Sequence, residues 1–295
     1  MTEEYSLLIG GERVAAPDGY EVINPSTEKV VGMAPNASVE QAAAACSAAR
    51  DAFDSWSRTP MGERCAILDR IADVLDAHRD ELVPLVQAET GATMRVAKTM
   101  QVPQAAARFR RYAQVETNLV PLPPAVMPTT ALAPGGIIGG VEHRAPVGVV
   151  AAIAAYNFPV TNMAGKIAPA LAMGNTVVVK PPTQDPLGVI RMVELFEEAG
   201  LPPGVVNTVS ANTVEAAEAI TGSPDVDMIS FTGSTGVGCR IAEVGGRQMK
   251  RLLLELGGKG AAIVFDDADL KNVISNVSST WTFHSGQICT SPTRV

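Results

Sequence analysis

The residues with the clearest chemical potential lie near the end of the sequence, in the run Gly286-Gln287-Ile288-Cys289-Thr290. A cysteine thiol is a nucleophile when nearby N–H groups or a cation lower its pKa. A lone cysteine is more often a small, buried apolar residue. Cys289 is therefore a candidate nucleophile whose role depends on the groups that the fold brings beside it.

Asn157 and Glu255 could assist such a thiol. Asn157 follows the apolar run 149–155, and an amide at a strand tip can donate to a developing oxyanion, although an ordinary turn asparagine is the alternative. Leucines flank Glu255, which predicts a partly desolvated carboxylate whose raised pKa suits a general base. The alternative for Glu255 is a pair with Lys259 or Arg251 at the edge of the core.

Two further segments could bind a phosphorylated cofactor. Lys180 ends the valine-rich run 176–179, and from the carboxyl end of a strand it could reach a ribose hydroxyl or a phosphate; a solvated surface lysine is the alternative. The run 231–238 follows a predicted strand and opens a predicted helix over 235–242, whose N-terminus suits a pyrophosphate. Its glycine order, G-x-x-G-x-G, differs from the usual dinucleotide fingerprint, so a glycine-rich turn without a ligand is also possible.

The elements that position these residues alternate along the chain. Apolar runs predict strands buried on both faces, at 148–155, 176–179, 205–209, 228–231 and 261–265. Intervening helices make this an α/β pattern with a parallel sheet. Upstream we predict a hairpin over 7–14, a helix over 38–56 capped by Ser38 with Gln41, and helices over 61–86 and 101–114. Proline and glycine predict an extended excursion or hairpin over 121–144.

Composition excludes several classes of function. The 295 residues suggest about two domains, and a net charge of −8 argues against nucleic acid as a partner. No apolar run reaches membrane-spanning length, and the N-terminus lacks a secretion signal. The scattered cysteines show no metal-ligand spacing, so we expect no structural metal and a cytoplasmic, reducing environment.

Taken in order, these segments resemble the aldehyde dehydrogenase superfamily along essentially the whole chain. The main motifs are Asn157-Phe158-Pro159, Val179-Lys180-Pro181, Phe231-Thr232-Gly233-Ser234, Glu255-Leu256-Gly257-Gly258 and Gly286-Gln287-Ile288-Cys289. Shorter landmarks are Asn24-Pro25, Trp56 with Arg64, and Glu89-Thr90-Gly91. The resemblance implies a homodimeric or homotetrameric enzyme that oxidises a small-molecule aldehyde to a carboxylic acid with NAD or NADP.

The resemblance also implies residue roles. Cys289 would attack the aldehyde, the Asn157 amide and the Cys289 N–H would hold the oxyanion, and Glu255 would activate the water that hydrolyses the thioester. Lys166 matches a family lysine near the oxyanion site. The implied cofactor contacts are Tyr156, Lys180, Thr183, Phe231, Gly233, Ser234, Val237, Leu256 and Gly257. The implied substrate contacts are Asn162, Gly165, Ile288 and Thr290.

Departures from the family pattern suggest specificity. Thr183 stands where many relatives have an acidic residue, which favours acceptance of NADP. Gly165 replaces a common aromatic residue, so we expect room for a bulky or branched aldehyde. Ile288 offers no cation for a phosphorylated aldehyde. Arg110 and Arg111 could face a carboxylated substrate, although a solvated helix face is the stronger expectation.

The resemblance implies a Rossmann-like cofactor domain over 1–122 and 146–256, an oligomerisation β excursion over 123–145, and the start of a catalytic domain over 257–295. The family is longer than this sequence, so a non-catalytic, truncated cofactor-binding fragment is one alternative. A CoA-acylating aldehyde dehydrogenase is the other, and Glu255 argues against it because those relatives generally lack this base.

Overall fold

A computed structural model describes residues 5–115 and 119–295. The α-helices of the described residues are α1 (Val39–Arg58), α2 (Met61–Ala77), α3 (Arg79–Thr90), α4 (Met94–Val96), α5 (Val102–Tyr112), α6 (Pro159–Ala172), α7 (Leu187–Glu194), α8 (Val214–Thr221), α9 (Thr235–Arg247) and α10 (Leu270–Thr282). A π-helical turn, Ala97–Gln101, joins α4 to α5, and a 3₁₀ turn, Phe283–Gly286, follows α10. The strands are β1 (Leu7–Ile9), β2 (Glu12–Val14), β3 (Asp18–Ile23), β4 (Val30–Asn36), β5 (Leu119–Met127), β6 (Gly136–His143), β7 (Val149–Ile153), β8 (Thr176–Lys180), β9 (Val206–Thr208), β10 (Met228–Gly233), β11 (Arg251–Leu256), β12 (Gly260–Ala261) and β13 (Pro292–Arg294).

The main sheet has seven strands in the order β11-β10-β7-β8-β9-β1-β2. The strands from β7 to β11 pair in parallel, and the hairpin of β1 and β2 extends the sheet in the antiparallel direction beyond β9. The chain builds β8 and β9 on one side of β7 and then crosses to place β10 and β11 on the other. The order therefore reverses between β7 and β10, which is where open α/β sheets bind ligands at the carboxyl ends of their strands.

Each face of the sheet carries its own apolar core. Val150 and Ala152 of β7 pack toward helices α2, α5 and α6, whereas Val149, Ala151 and Ile153 pack toward α1, α8 and α9. This alternation is the two-residue period of a strand covered on both sides. The continuous apolar run of β7 is the sequence signal of that double burial, and the predicted α/β class is confirmed.

Several local predictions are also confirmed. The Gly-Gly turn joins β1 to β2, and Ser38 caps α1 in a capping box with Gln41. The predicted strands at 148–155, 176–179, 205–209 and 228–231 correspond to β7, β8, β9 and β10. The predicted excursion is a hairpin in which β5 pairs antiparallel with β6. The domain boundaries proposed for this segment remain a prediction.

The strand predicted over 261–265 is wrong. Only Gly260 and Ala261 form strand β12, while Ile263 and Phe265 are exposed. The apolar composition of this run was a sound strand signal, but among the described residues no layer packs over it. No helix in the described part of the chain is long and apolar enough to cross a membrane.

Candidate active site

A cavity of about 910 Å³ opens at the carboxyl ends of β7, β8, β10 and β11, at the point where the strand order reverses. It brings together residues from five separate motifs. The predicted site residues that line it are Tyr156, Asn157, Lys180, Thr183, Phe231, Gly233, Ser234, Val237, Glu255, Leu256, Gly257, Ile288 and Cys289. Four predicted site residues lie outside its lining: Lys166, Asn162, Gly165 and Thr290.

The segment that carries Cys289 is tied to Asn157 by two hydrogen bonds. The Asn157 Nδ2 donates to the Gln287 carbonyl at 2.8 Å, and the His284 ring Nε2 donates to the Asn157 carbonyl at 2.8 Å. His284, Ser285 and Gly286 have φ values of 47°, 55° and 76°, a left-handed run that is costly for the two residues with side chains. The bonds to Asn157 hold this turn, and Cys289 itself is exposed at the cavity.

The Asn157 amide is therefore a structural link as well as a candidate oxyanion donor. A side-chain amide has two N–H donors, and the Gln287 carbonyl takes one of them, which leaves one for a substrate oxygen. Buried Gln101, from the π-helical turn, donates to the Asn157 carbonyl at 3.4 Å. The sequence carried no local signal for either Gln101 or His284, because both reach Asn157 from distant segments.

Glu255 is exposed, so the predicted partial desolvation is wrong. Strand β11 lies at the edge of the sheet, and its side chains alternate between a half-buried and an exposed face. Leu254 and Leu256 pack into the core with α9, whereas Glu255 points to the opposite face. No ion pair joins Glu255 to Lys259 or Arg251 among the described residues, and the carboxylate faces the cavity.

Lys166 lies beneath the site, on helix α6. It is buried, and its Nζ donates to the Ser230 hydroxyl at 3.0 Å. Burial lowers the pKa of Lys166 to about 8, and the negative charge of Glu255 partly opposes this shift. Lys166 thus interacts electrostatically with Glu255, although Lys166 does not line the cavity.

Lys180 is only 9% exposed, which excludes the solvated surface lysine. Its Nζ donates to the Pro181 carbonyl at 3.2 Å and to the Thr183 hydroxyl at 3.3 Å. Thr183 in turn donates to the Ala211 carbonyl at 3.4 Å. Burial lowers the pKa of Lys180 to about 8. The arrangement is a buried cation at the cavity wall with a neutral hydroxyl beside it.

The glycine-rich turn lies between β10 and α9, as predicted. Ser234 caps α9, and its hydroxyl accepts from the Val237 N–H at 3.4 Å. A Cβ on Gly238 would approach the Leu256 side chain to 2.6 Å, so this glycine allows α9 to pack closely on β11. The N-terminus of α9 therefore opens into the cavity, where its free N–H groups favour an anion.

The proposed substrate residues are arranged differently from expectation. Asn162 donates weakly to the Asn157 side-chain oxygen at 3.5 Å. The free space expected at Gly165 is absent, because the Arg108 guanidinium occupies it. Arg110 is paired with Asp73 at 2.7 Å and with Asp76 at 2.6 Å, which agrees with the charged helix face.

No cluster of three or more potential metal-ligating His, Cys, Asp or Glu side chains occurs within residues 5–115 and 119–295. The four cysteines are free, with Cys46 and Cys65 buried and Cys239 and Cys289 exposed.

Comparison with known proteins finds a family model and relatives that match nearly the whole chain. Residues 14–295 match the model of the Aldehyde dehydrogenase family. Phenylacetaldehyde dehydrogenase of Pseudomonas fluorescens is 39% identical, over 99% of this chain and 58% of its own length. The 2-aminomuconic semialdehyde dehydrogenase of Danio rerio is 36% identical, over 97% of this chain and 58% of its own length.

Solved structures share the fold. An NAD+ complex of aldehyde dehydrogenase from Bacillus cereus has a TM-score of 0.87 at 34% identity, covering 98% of this chain and 58% of that one. A variant of aldehyde dehydrogenase C from Pseudomonas syringae, complexed with NAD+ and octanal, has a TM-score of 0.88 at 33% identity with the same coverage. The chain thus spans about 58% of the length of these relatives. On the family match and the shared fold, the chain belongs to the aldehyde dehydrogenase family.

Proposed function

We propose that this chain carries the cofactor site and the nucleophile of an NAD(P)-dependent enzyme that oxidises a small-molecule aldehyde to a carboxylic acid. One observation supports this above all: Cys289, Asn157, Glu255 and Lys180 line a single cavity at the switch point of the sheet. These residues come from four separate segments, so their convergence is a product of the fold.

The cavity suits a dinucleotide. Its volume of about 910 Å³ is at the upper end of the range for small-molecule sites. The N-terminus of α9 presents N–H donors to a pyrophosphate, and Lys180 presents a cation to the ribose. Val237 and Ile241 form an apolar part of the cavity wall. A bound nicotinamide would supply the hydride acceptor.

The chain's own residues would perform the remaining chemistry. The Cys289 thiolate adds to the carbonyl carbon of the aldehyde. The resulting oxyanion accepts hydrogen bonds from the free Asn157 N–H and from the Cys289 backbone N–H. Loss of hydride from that carbon leaves a thioester on Cys289. Glu255 then takes a proton from water as the water attacks, the thiolate leaves, and the product is a carboxylic acid.

Glu255 also favours water over CoA as the acceptor of the acyl group. The Glu255 carboxylate is exposed at the cavity, where it can accept a proton from an attacking water. Exposure leaves this carboxylate accessible to solvent water. A strict requirement for CoA would overturn this choice.

The proposed cofactor range includes NADP. Lys180 and Thr183 form a cation and hydroxyl pair without a carboxylate, so a 2′-phosphate meets attraction rather than repulsion. We further propose a homodimer or homotetramer assembled through the β5–β6 hairpin. The free cysteines fit a reducing compartment such as the cytoplasm.

Replacement of the nucleophile tests the proposed activity. Cys289→Ala should abolish aldehyde-dependent reduction of NAD or NADP, because the hydride leaves from a cysteine adduct. Cofactor binding, measured by calorimetry, should stay within about twofold, because the cofactor contacts lie elsewhere in the cavity. Aldehyde oxidation retained in Cys289→Ala would refute the assignment of the nucleophile.

A further inference from the structure

Contacts on all sides fix the side-chain amide of Asn157. Its oxygen accepts from the Phe158 N–H at 3.1 Å and from Asn162 at 3.5 Å, and its Nδ2 donates to the Gln287 carbonyl at 2.8 Å. These contacts use three of the four hydrogen-bonding positions of the amide. Because the amide is planar, they also set the direction of the remaining N–H, which is the one that would meet a substrate oxyanion.

The main-chain carbonyl of Asn157 is held as well, by two residues that are distant in sequence. The His284 ring Nε2 donates to it at 2.8 Å, and the Gln101 Nε2 donates to it at 3.4 Å. Both donors are buried. A carbonyl can only accept, so the His284 ring must carry a proton on Nε2.

His284 also belongs to the turn that carries the nucleophile. The Gln287 N–H and the Gln287 Nε2 both donate to the His284 carbonyl, at 3.1 Å and 3.2 Å, and Cys289 follows two residues later. The two N–H groups proposed for the oxyanion belong to Asn157 and Cys289, in segments that lie far apart in sequence. The hydrogen bond from His284 to the Asn157 carbonyl joins these segments and so sets the separation of the two donors.

The backbone is irregular on both sides of this contact. His284 has a φ of 47°, in the left-handed region that residues with side chains rarely adopt, and Gln101 ends a π-helical turn. The His284 ring lies 5.0 Å from the Phe158 ring, on which Phe283 also stacks at 6.4 Å. Irregular backbone of this kind persists where the surrounding contacts hold it, and it is frequent at active sites.

We infer that His284 is a positioning residue for the oxyanion, and that Gln101 assists it through the same carbonyl. His284 acts through Asn157 and does not itself touch the substrate. This inference rests on the proposed function, in which Cys289 and Asn157 form the reaction centre. Loss of the His284 donor should slow the reactions of Cys289 that pass through an oxyanion and spare those that do not.

Two reactions of Cys289 that need no cofactor separate these cases. The thiolate adds to p-nitrophenyl acetate to give a tetrahedral oxyanion, which expels p-nitrophenolate and leaves an acetyl thioester. The same thiolate displaces iodide from iodoacetamide without forming an oxyanion. The ratio of the two second-order rate constants, each corrected for the rate in Cys289→Ala, therefore measures oxyanion stabilisation.

Removal of the His284 donor should lower this ratio. His284→Phe keeps an aromatic ring without a donor, and we expect the ratio to fall about tenfold while the alkylation rate changes less than about twofold. His284→Gln retains a side-chain N–H and should recover part of the ratio. Gln101→Met removes the second, longer bond without altering the left-handed turn, and it should lower the ratio about twofold.

A second background tests whether His284 acts through Asn157. In Asn157→Ala, which lacks the oxyanion donor, His284→Phe should cause no further fall in the ratio. His78→Phe is the matched control, because this histidine contacts Glu81 and Glu198 and has no bond to Asn157, and it should leave the ratio unchanged. An unchanged ratio in His284→Phe or Gln101→Met, an equal fall in both backgrounds, or no reaction of wild-type Cys289 with the ester would overturn the inference.

These outcomes are distinct from those that test the proposed oxidation. A ratio that depends on His284, in a chain that reduces no cofactor, would leave the positioning role standing and count against the dehydrogenase. Reduction of cofactor in the first turnover at the wild-type rate in His284→Phe would support the dehydrogenase and overturn the positioning role.

Discussion

Two lysines of the site are buried, and their surroundings differ. Lys166 donates a hydrogen bond to Ser230 and interacts electrostatically with Glu255. Lys180 instead donates to the Thr183 hydroxyl and to the Pro181 carbonyl. Burial lowers the pKa of each lysine to about 8. An anion placed beside Lys180 would stabilise its charged form and raise its pKa again.

This pKa predicts a pH-dependent choice of cofactor. The 2′-phosphate of NADP raises the pKa of Lys180, so NADP binds with proton uptake once the pH exceeds about 8. The ratio of NADP to NAD affinity should therefore be constant below pH 8 and fall above it, by no more than about tenfold per pH unit. Calorimetric titrations between pH 7 and pH 10 measure this ratio.

Variants of the same pair provide the controls. Lys180→Met should remove the pH dependence of the ratio, because the titrating group is gone. Thr183→Glu should favour NAD at every pH, because a carboxylate beside the 2′-phosphate repels it. A ratio that stays flat from pH 7 to pH 10 in the wild type would contradict a role for Lys180 at the phosphate.

At the scale of elements, the start of β7 is a junction that sets the position of the site. Gly148 precedes the strand with a φ of 127°, and the Asp227 carboxylate accepts from the Val149 N–H at 2.8 Å and from Arg50 at 2.5 Å. Arg50 belongs to α1 and Asp227 immediately precedes β10. One carboxylate thus joins a helix and two central strands.

Substitution at Gly148 should disrupt this junction. A Cβ in Gly148→Ala would overlap the Asp227 carboxylate, and the dihedral angle itself disfavours alanine. We expect the free energy of unfolding to fall by about 3 kcal/mol or more, measured by urea denaturation. Gly62→Ala, in α2 with nothing within 4 Å of its Cβ, is the matched control and should be neutral or slightly stabilising. Equal stability of the two variants would show that the contact with the Asp227 carboxylate does not require glycine at position 148.

At the scale of the whole molecule, apolar surface is concentrated on the β5–β6 hairpin. Val126 is 80% exposed and Ile137 is 77% exposed, and among the described residues the two strands pair only with each other. Strands with open edges and exposed apolar side chains favour association with another chain. The hairpin is therefore the surface on which the proposed oligomer depends.

Charge on the hairpin should weaken self-association. A Val126→Glu and Ile137→Glu double variant places like charges at the proposed interface, and we expect a lower mass by sedimentation equilibrium than for the wild type. Met249→Glu changes an apolar residue that is 89% exposed elsewhere on the surface, and it should leave the mass unchanged. An unchanged mass in the double variant would exclude the hairpin as the interface.

The sequence predicted what depends on local pattern. Continuous apolar runs predicted β7 and β8 correctly. A strand that is covered on both faces is apolar along its whole length, so the sequence shows it whichever elements cover it. The direction of Glu255 could not be predicted, since it depends on which face of edge strand β11 is covered. The contact of Arg108 with Gly165 and the burial of Lys180 also escaped, because they arise from packing between distant segments.

Transfer of the acyl group to Cys289 is the step on which the proposed chemistry depends, and intact mass spectrometry of an acid-quenched reaction measures it directly. In Glu255→Gln, which lacks the base for hydrolysis, we expect the chain with NADP and aldehyde to gain the mass of the aldehyde less two hydrogen atoms, and peptide mapping to place the adduct on Cys289. Cys289→Ala should remain unmodified. An unmodified Glu255→Gln chain, or an adduct that persists in Cys289→Ala, would contradict a thioester at this cysteine.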